Sequence, residues 1–237
     1  MQNDQISTSK IAWVTLESMN EDLINCEKCR RLKDFRDHVL IDKENKTGER
    51  YWRKPVPGFG DPNGRLMVLG LAPAATGANR TGRIFTGDKS SEFLVSCLYE
   101  AGFCNQPYSI SREDGLKYYN CYINAAVRCV PPDNIPTKEE ITNCLPYLKF
   151  ELSMLKNLKA VLALGRIAFE SVIMAMDAKS SPAKGKFSHG SSVMISGIRV
   201  FCSYHPSPRN VNTGRMTRDS FMKILFDIRK YIDQSTQ

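Results

Sequence analysis

RLMVLGL, residues 65–71, is the first of four short apolar runs that decide the fold of this chain. Each run is rich in leucine or β-branched residues and ends near a glycine, a proline or a polar turn, as buried strands do. The other three runs are CYINAAV (121–127), KAVLALG (159–165) and IRVFCSY (198–204). Because helical patterns separate them, we predict an α/β fold in which helices cover both faces of a parallel sheet.

Apolar residues at helical spacing predict three of these helices, around residues 93–101, from residue 137 onward and over residues 221–232. Thr137 and Glu140 form a possible capping box at the start of the second one. Pro146 follows soon after and is expected to separate or kink the first turn of that helix. Residues 41–64 are rich in proline, glycine and charge without periodicity, so we predict a long loop there.

The composition limits the class of protein. The chain has 237 residues, of which 42% are hydrophobic, and this predicts one globular domain over residues 1–237. The net charge of +8 fits a polyanionic partner and, equally well, a merely basic soluble protein. No stretch reaches the roughly 18–20 apolar residues of a membrane span. The N-terminus also lacks the pattern of a secretion signal, so we expect a cytoplasmic protein without a membrane partner.

Eight cysteines in a cytoplasmic chain indicate a metal site or buried thiols, because that compartment keeps thiols reduced. Cys26 and Cys29 form a C-x-x-C pair, and Cys129 and Cys144 form a wider one. A C-x-x-C pair occurs in redox, zinc and iron–sulfur sites alike, and the wide second pair favours a cluster over zinc. Cys144 is also open to interpretation as a core residue. The remaining cysteines lie in apolar patterns and are predicted to be core: Cys97, Cys104, Cys121 and Cys202.

The stretch GLAPAATGANRTGRIFTGD, residues 70–88, follows a predicted strand and precedes a helix, which is where open α/β sheets bind ligands. It has neither the Rossmann nor the P-loop spacing. Phe85 is open to two interpretations, stacking on a base or anchoring the loop in the core. His205, in YHPSPRN (204–210), follows the fourth strand and is a candidate functional residue at the same sheet edge.

Together these motifs resemble the uracil-DNA glycosylase superfamily, most closely its family 5, over about residues 23–232. The resemblance is carried by the stretch at 70–88, by HPSPRN, by YWRKPVP and PVPGFGDP, and by C-x-x-C together with AAVRCVPP and Cys144. It implies a three-layer α/β/α fold with a central four-stranded parallel sheet. It also implies a structural 4Fe-4S cluster whose ligands are Cys26, Cys29, Cys129 and Cys144.

The resemblance further implies excision of uracil from DNA, with tolerance for other deaminated bases such as hypoxanthine. The base would be flipped out of the duplex into a pocket and stacked on Phe85. His205 would stabilise the departing base anion by donating a hydrogen bond to uracil O2. The other base oxygens would be held by backbone amides of the first motif, at Ala72, Ala74 and Ala75.

Many relatives carry Asp, Asn or Glu in the first motif to orient the attacking water, whereas this chain has only alanines there. The resemblance therefore moves this role to Asp88, with Asn134 as a possible helper; the alternative for Asp88 is a helix N-cap alone. Family 4 enzymes read uracil with an asparagine four residues before the third cysteine, a position that Ala125 occupies here. Asn124 precedes it, and a shift of one residue on a strand points a side chain to the opposite face. We therefore do not expect Asn124 to read uracil, and we expect a broader substrate range.

Four arginines lie beside the motifs and are candidate phosphate contacts, although each could instead be a solvated loop charge. They are Arg80, Arg83, Arg209 and Arg215, of which Arg209 could also enter the duplex as a wedge. No motif lysine suggests Schiff-base chemistry, so we predict a monofunctional glycosylase that acts on DNA, as a monomer, in base excision repair. The alternatives are a strictly uracil-specific enzyme like family 4 and a non-catalytic iron–sulfur nucleic-acid-binding protein. A sliding-clamp contact is left open.

Overall fold

The computed structural model describes residues 13–178 and 187–234. Its six-stranded sheet has the order β1-β3-β2-β4-β6-β5. The strands are β1 (Phe59–Gly60), β2 (Leu66–Gly70), β3 (Cys121–Ala125), β4 (Ala160–Leu164), β5 (Ser192–Ile195) and β6 (Ile198–Ser203). The four apolar runs form β3, β2, β4 and β6, which are mutually parallel, so the predicted central sheet is confirmed.

The two outer strands of the sheet were not predicted. β1 pairs antiparallel with β3, and β5 pairs antiparallel with β6, so the complete sheet is mixed. β1 has two residues and β5 has a mostly exposed pattern, and neither contains the apolar run by which a buried strand is recognised. They extend the parallel sheet at its edges without changing its centre.

Eight helices are present in the described part of the chain. They are α1 (Leu16–Leu23), α2 (Arg30–Thr47), α3 (Ala78–Thr81), α4 (Lys89–Glu100), α5 (Lys138–Met154), α6 (Arg166–Ala175), α7 (Pro208–Asn212) and α8 (Arg218–Gln234). The three predicted helices correspond to α4, α5 and α8. α2 ends at Thr47 and occupies the start of the segment that we predicted to be a loop. Its sequence is mostly charged, which conceals the helical period from a search for apolar stripes.

The capping box at the start of α5 is confirmed, because the Thr137 hydroxyl accepts from the Glu140 amide and the Glu140 carboxylate accepts from the Thr137 amide. The predicted interruption at Pro146 is wrong: α5 continues through it to Met154. Proline removes one backbone donor from a helix, and here the remaining turns carry the helix past it.

The core has two parts, one on each face of the sheet. Side chains alternate along β2, so that Leu66 and Val68 belong to the part formed with α4 and α8, while Met67 and Leu69 belong to the part formed with α5 and α6. Helix, sheet and helix therefore make three layers, as predicted. The extent of the domain over residues 1–237 stays a prediction, since residues 1–12, 179–186 and 235–237 lie outside the described ranges.

Parallel strands end at one edge of the sheet, and the candidate functional segments all begin there. Gly70 at the end of β2 lies opposite Ala125 at the end of β3, and Leu164 of β4 lies opposite Ser203 of β6. The loops after β2, β3 and β6 consequently start side by side. Among the helices of the described ranges, none is long and apolar enough to cross a membrane.

Candidate functional site

A cavity of about 470 Å³ opens at the carboxyl ends of β2 and β3. Its wall comes from three separate segments of the chain, namely the stretch at 70–90, the region of Ala125 and Asn134, and the segment at 205–208. The lining residues are Gly70, Leu71, Ala72, Pro73, Ala74, Thr76, Ala78, Ile84, Phe85, Asp88, Lys89, Ser90, Ala125, Asn134, His205, Ser207 and Pro208. The predicted motifs thus meet in one place.

Phe85 forms one side of the cavity. Its backbone has φ 49°, the left-handed region that non-glycine residues rarely adopt, and its side chain is 9% exposed. The ring lies against the end of β2, where a Cβ on Gly70 would be 2.9 Å from Phe85 Cζ. Phe85 also belongs to the hydrophobic core on that face of the sheet. The interpretation of Phe85 as a loop anchor is therefore confirmed, and its place in the cavity wall is compatible with stacking on a base, which stays a prediction.

His205 lies on the opposite side, directly after β6. Its ring is nearly parallel to that of Phe85, with the centroids 5.9 Å apart and 29° between the planes. Its backbone carbonyl accepts from the Ser207 amide and from Asn210 Nδ2, both at 2.8 Å, which fixes the turn. Burial lowers the pKa of His205 from 6.5 to about 4. The imidazole is consequently neutral at neutral pH and keeps one N–H that it can donate.

Asp88 is both the N-cap of α4 and part of the cavity wall. Its Oδ1 accepts from the Ser91 amide at 2.8 Å, and the Asp88 amide donates to Ser91 Oγ at 3.0 Å. The other oxygen, Oδ2, faces Gly77, where an added Cβ would lie 2.0 Å away from it. Burial raises the pKa of this carboxyl group. Asp88 therefore combines the N-cap of α4 with a place in the cavity wall.

Asn134 lies at the mouth of the cavity, at the end of a short 3-10 turn, Pro132–Asn134. Asp133 and Asn134 both have positive φ, at 54° and 59°. Asparagine tolerates this conformation better than most residues, and consecutive strained positions of this kind are often found at functional sites. The structure therefore brings Asn134, Asp88, His205 and Phe85 to one cavity.

The three alanines of the first motif differ in their position relative to the cavity. Ala72 and Ala74 line the cavity, whereas Ala75 is not part of the lining. The Ala74 carbonyl accepts from the amides of Gly77 and Asn79, so the chain turns immediately after it. Ala75 therefore lies outside the cavity wall, and the contact of its backbone amide with the base stays a prediction. The sequence had no signal for this, because alanine spacing does not reveal where a loop turns.

Asn124 faces away from the cavity, as predicted from the alternation of side chains along a strand. It is completely buried, and its Nδ2 donates to Glu151 Oε2 on α5. Arg128 pairs with the same carboxylate and is itself 0% exposed, and the Tyr122 hydroxyl donates to Glu151 at 3.4 Å. We refer to Tyr122, Asn124, Arg128 and Glu151 as the buried polar cluster. It leaves Ala125, with no polar side chain, as the member of this strand that faces the cavity.

The four arginines proposed as DNA contacts fall into different environments. Arg83 is 4% exposed and ion-paired with Asp114 at 2.6 Å, with further bonds to Thr86 and Ser109, so its prediction as a DNA contact is wrong. The sequence concealed this because Asp114 lies far along the chain. Arg80 is partly buried and donates to the carbonyls of the first motif at Thr76 and Gly87.

Arg209 and Arg215 are exposed, on α7 and directly after it. The Arg215 guanidinium lies over the Tyr204 ring at 5.1 Å from its centroid. Of the four, these two are the arginines available to a phosphate.

A second, smaller cavity lies where α2 begins and contains all four predicted ligand cysteines. It is lined by Leu23, Cys26, Cys29, Leu32, Lys33, Arg36, Pro55, Arg128, Cys129 and Cys144. Arg36 Nη1 lies 3.4 Å from Cys129 Sγ, and Asn143 Nδ2 lies 3.5 Å from Cys29 Sγ. Burial raises the pKa of Cys129 and raises that of Cys144 to about 11. In the described ranges, no group of three or more His, Cys, Asp or Glu side chains is arranged to hold a metal ion.

Comparison with known proteins places this geometry in a family. Residues 57–229 match the model of the uracil DNA glycosylase superfamily. The chain is 46% identical over 203 residues to the Type-5 uracil-DNA glycosylase of Pyrobaculum aerophilum, covering 86% of this chain and 87% of that protein.

Two further relatives separate the branches of the family. The Type-5 uracil-DNA glycosylase of Thermus thermophilus is 42% identical over 215 residues, covering 90% of this chain and 97% of that protein. The Type-4 uracil-DNA glycosylase of P. aerophilum is only 29% identical over 198 residues, covering 81% and 83%. This chain belongs to the uracil-DNA glycosylase superfamily, in its type 5 branch.

Proposed function

We propose that this protein is a monofunctional DNA glycosylase that hydrolyses the N-glycosidic bond of uracil, and of other deaminated bases such as hypoxanthine, in base excision repair. The observation that carries the proposal is the meeting of Phe85, Asp88 and His205 in one cavity at the carboxyl edge of the sheet. Each of them follows a different turn of the chain, and each has an environment that suits a different part of the reaction. We propose that it acts as a monomer on DNA in the cytoplasm.

The first requirement is a place for the flipped base. A base inside a duplex cannot be reached by an enzyme side chain, so it must leave the stack and enter a pocket. The cavity of about 470 Å³ falls within the usual range for small-molecule sites, and Phe85 provides an aromatic face for stacking. Backbone amides beside Ala72 and Ala74 supply polar contacts that do not depend on side-chain identity.

The second requirement is stabilisation of the leaving group. When the glycosidic bond breaks, negative charge develops on the base and positive charge develops on the sugar. A neutral His205 can donate its N–H to the base oxygen without carrying a full charge into a dry cavity. Its lowered pKa keeps it in this form over the whole neutral range.

The third requirement is a base for the attacking water. Asp88 lines the cavity, and the raised pKa of its carboxyl group makes it a better proton acceptor than an ordinary aspartate. Asn134 at the cavity mouth would hold the same water with its side-chain amide. Activity should then fall as the pH drops through the raised pKa of Asp88, because the protonated carboxyl cannot accept a proton.

The proposed broad substrate range follows from the small number of side-chain carboxamides in the cavity wall. Among the described residues that line the cavity, Asn134 at the mouth is the only one with a side-chain carboxamide. Asn124, the nearest candidate on β3, is engaged with Glu151. Without a second carboxamide to pair with the base edge, the cavity should select weakly between pyrimidine and purine lesions.

We also propose that Cys26, Cys29, Cys129 and Cys144 hold a 4Fe-4S cluster. All four line one cavity, and thiolates are the ligands that such clusters require. Nε and Nη1 of Arg128, which lines the same cavity, have no hydrogen-bond partner within the described part of the chain. An anionic group there would satisfy them, so the donor set fits the cluster. When bound, it would tie the start of α2 to the loop that follows β3.

The test is incubation with a single-uracil duplex and, in parallel, a single-hypoxanthine duplex. We expect free base and an alkali-labile site from both. Strand cleavage before alkali would contradict the monofunctional assignment, and activity on uracil alone would favour a strict enzyme like family 4. The absence of base release from either duplex would favour a non-catalytic iron–sulfur nucleic-acid-binding protein. Visible absorption of anaerobically purified protein would test the cluster separately.

A further inference from the structure

The loop between β3 and α5 presents an apolar side chain to solvent beside the mouth of the cavity. Ile135 is 66% exposed, and it directly follows Asn134, which lines that mouth. A single exposed isoleucine is common on protein surfaces and carries no meaning alone. Here, however, the segment that carries it is braced, and its position relative to the cavity is defined.

Several contacts hold this loop in place. Pro131 and Pro136 are buried on either side of the tip, and the Ile135 amide donates to the Pro132 carbonyl at 3.0 Å. The Ile135 carbonyl accepts from Arg31 Nη2 at 3.1 Å. Arg31 in turn makes two hydrogen bonds of 2.8 Å each to the Glu140 carboxylate, so α2 and α5 both support the tip.

The backbone conformation of this loop also indicates that its tip is held in place. The two residues before Ile135 both have positive φ, a costly conformation for residues with a side chain. The chain could relax this strain and bury the isoleucine if the loop were free to collapse. Instead the hydrogen bonds and the two buried prolines keep the tip extended, with Ile135 in β conformation at φ −120° and ψ 102°.

We propose that Ile135 is a wedge that enters the DNA stack next to the flipped nucleotide. The inference rests on the proposed function, because only an enzyme that flips a base from a duplex leaves a gap to be filled. Proteins that unstack DNA frequently insert an apolar side chain between base steps, and the cost of unstacking is a few kcal/mol per step. A braced isoleucine beside the cavity satisfies this requirement without losing conformational freedom on binding.

The wedge has a distinctive kinetic consequence. A single strand has no stack to be held open, so Ile135 should matter for duplex substrates and not for single-stranded ones. We expect Ile135→Ala to lower kcat/KM on a uracil-containing duplex about 10-fold or more, since each factor of ten corresponds to about 1.4 kcal/mol of lost wedge energy. The same variant should be within about 2-fold of the wild type on the single-stranded oligonucleotide of the same sequence.

The experiment compares three variants on those two substrates. Ile135→Leu should retain duplex activity, because it keeps an apolar side chain of the same volume. Met194→Ala is the matched control: Met194 is 46% exposed and pairs with Arg199 at the start of β6, at the opposite end of that strand from His205. It should change neither substrate. Thermal unfolding of each variant checks that the fold is intact.

A binding measurement separates the wedge from catalysis. A 2-aminopurine placed next to an uncleavable abasic-site analogue in a duplex should brighten when the wild type binds and unstacks it, and should brighten less with Ile135→Ala. Equal losses of activity on both substrates, or unchanged duplex activity and unchanged 2-aminopurine emission in Ile135→Ala, would overturn the proposal. If the wild type releases no base from any substrate, the proposed function fails, and the emission difference still decides whether Ile135 enters the stack.

Discussion

Two of the cavities in the described part of the chain, the one beside Phe85 and the one beside the four cysteines, lie on either side of the loop that follows β3, and they are built in opposite ways. The larger one is walled by glycine, alanine and backbone groups, with its few titratable side chains placed singly. The smaller one contains four cysteines and two nearly completely buried arginines. The first has room and few fixed partners, as suits a bound ligand that enters and leaves. The buried arginines of the second cavity are stable there only if they are paired with acidic groups of the protein or with a bound anion.

The strand between them shows how one sequence serves both purposes. Asn124 and Ala125 are neighbours on β3, and alternation sends the first towards Glu151 and Arg128 and the second towards the larger cavity. The polar side chain of Asn124 therefore contacts α5, and the neighbouring position that faces the larger cavity carries only a methyl group. Variants of either cavity should consequently have separable effects, on chemistry in one and on stability in the other.

The largest expected effect separates the two roles of Asp88. Asparagine caps helices as well as aspartate does, so Asp88→Asn should leave the free energy of unfolding nearly unchanged while removing the general base. We expect a fall in kcat of about 10²–10⁴-fold, the usual contribution of such a group. Asp88→Ala should lose the same activity and, in addition, about 1 kcal/mol of stability. Full activity in Asp88→Asn would mean that Asp88 is a cap alone.

The next effect concerns the buried polar cluster. Arg128→Met should lower the free energy of unfolding by about 3–5 kcal/mol, because it leaves the Glu151 carboxylate buried without its partner. Replacing both residues with apolar ones, Arg128→Met with Glu151→Leu, should recover only part of that loss, because Asn124 Nδ2 and the Tyr122 hydroxyl then lose their acceptor. Urea unfolding measures both. If the single variant were as stable as the wild type, the buried polar cluster would not contribute to holding α5 against β3.

A pH-dependent difference in stability should appear at His205. Its pKa is about 4 in the folded protein and 6.5 ordinarily, so the unfolded chain binds the proton more tightly between those values. Stability should therefore rise with pH from about 4 to 6.5, with His205 contributing up to about 3 kcal/mol. In His205→Gln this part of the rise should disappear, as measured by urea unfolding at several pH values. An unchanged profile would show that the imidazole is not desolvated in the folded state.

The smallest expected effect is on DNA affinity. Arg209→Ala and Arg215→Ala should each reduce the slope of log affinity against log salt by about 0.9, the contribution of one phosphate contact to duplex DNA. Stability should not change, since both side chains are exposed. Lys223→Ala, at an exposed cation on α8 that lines neither cavity, is the control and should leave the slope unchanged. Identical slopes in all three would remove Arg209 and Arg215 from the interface.

The parts that could be predicted from sequence are those decided by local pattern. The four parallel strands differ from their apolar runs by no more than two residues at either end, because long apolar runs bounded by turn residues are typical of buried strands. Asn124 was assigned to the correct face by alternation alone. Asp88 and Phe85 were each given two interpretations, and the geometry shows that the two are compatible.

The parts that could not be predicted depend on distant partners or on shape. Arg83 is indistinguishable in sequence from an exposed arginine until Asp114 is seen against it. The turn after Ala74 depends on hydrogen bonds to its carbonyl from Gly77 and Asn79, which no residue type in this stretch predicts. The helix that extends to Thr47 lacks an apolar stripe over its last turns, so its charged sequence reads as a loop. Only the Arg83 case depends on a partner distant in the sequence, whereas the other two are local features without a recognisable residue pattern.

Gly77 lies so close to Asp88 that a larger residue at position 77 would change the position of the Asp88 carboxylate. A Cβ added at Gly77 would lie 2.0 Å from Oδ2 and 2.8 Å from Cγ of Asp88, so this side chain would have to move. One methyl group would thus displace the carboxylate proposed to activate the water while leaving its chemistry intact. Gly77 therefore leaves the space that the Asp88 carboxylate occupies. The activity of a Gly77→Ala variant would measure how far this carboxylate can be displaced before the reaction slows.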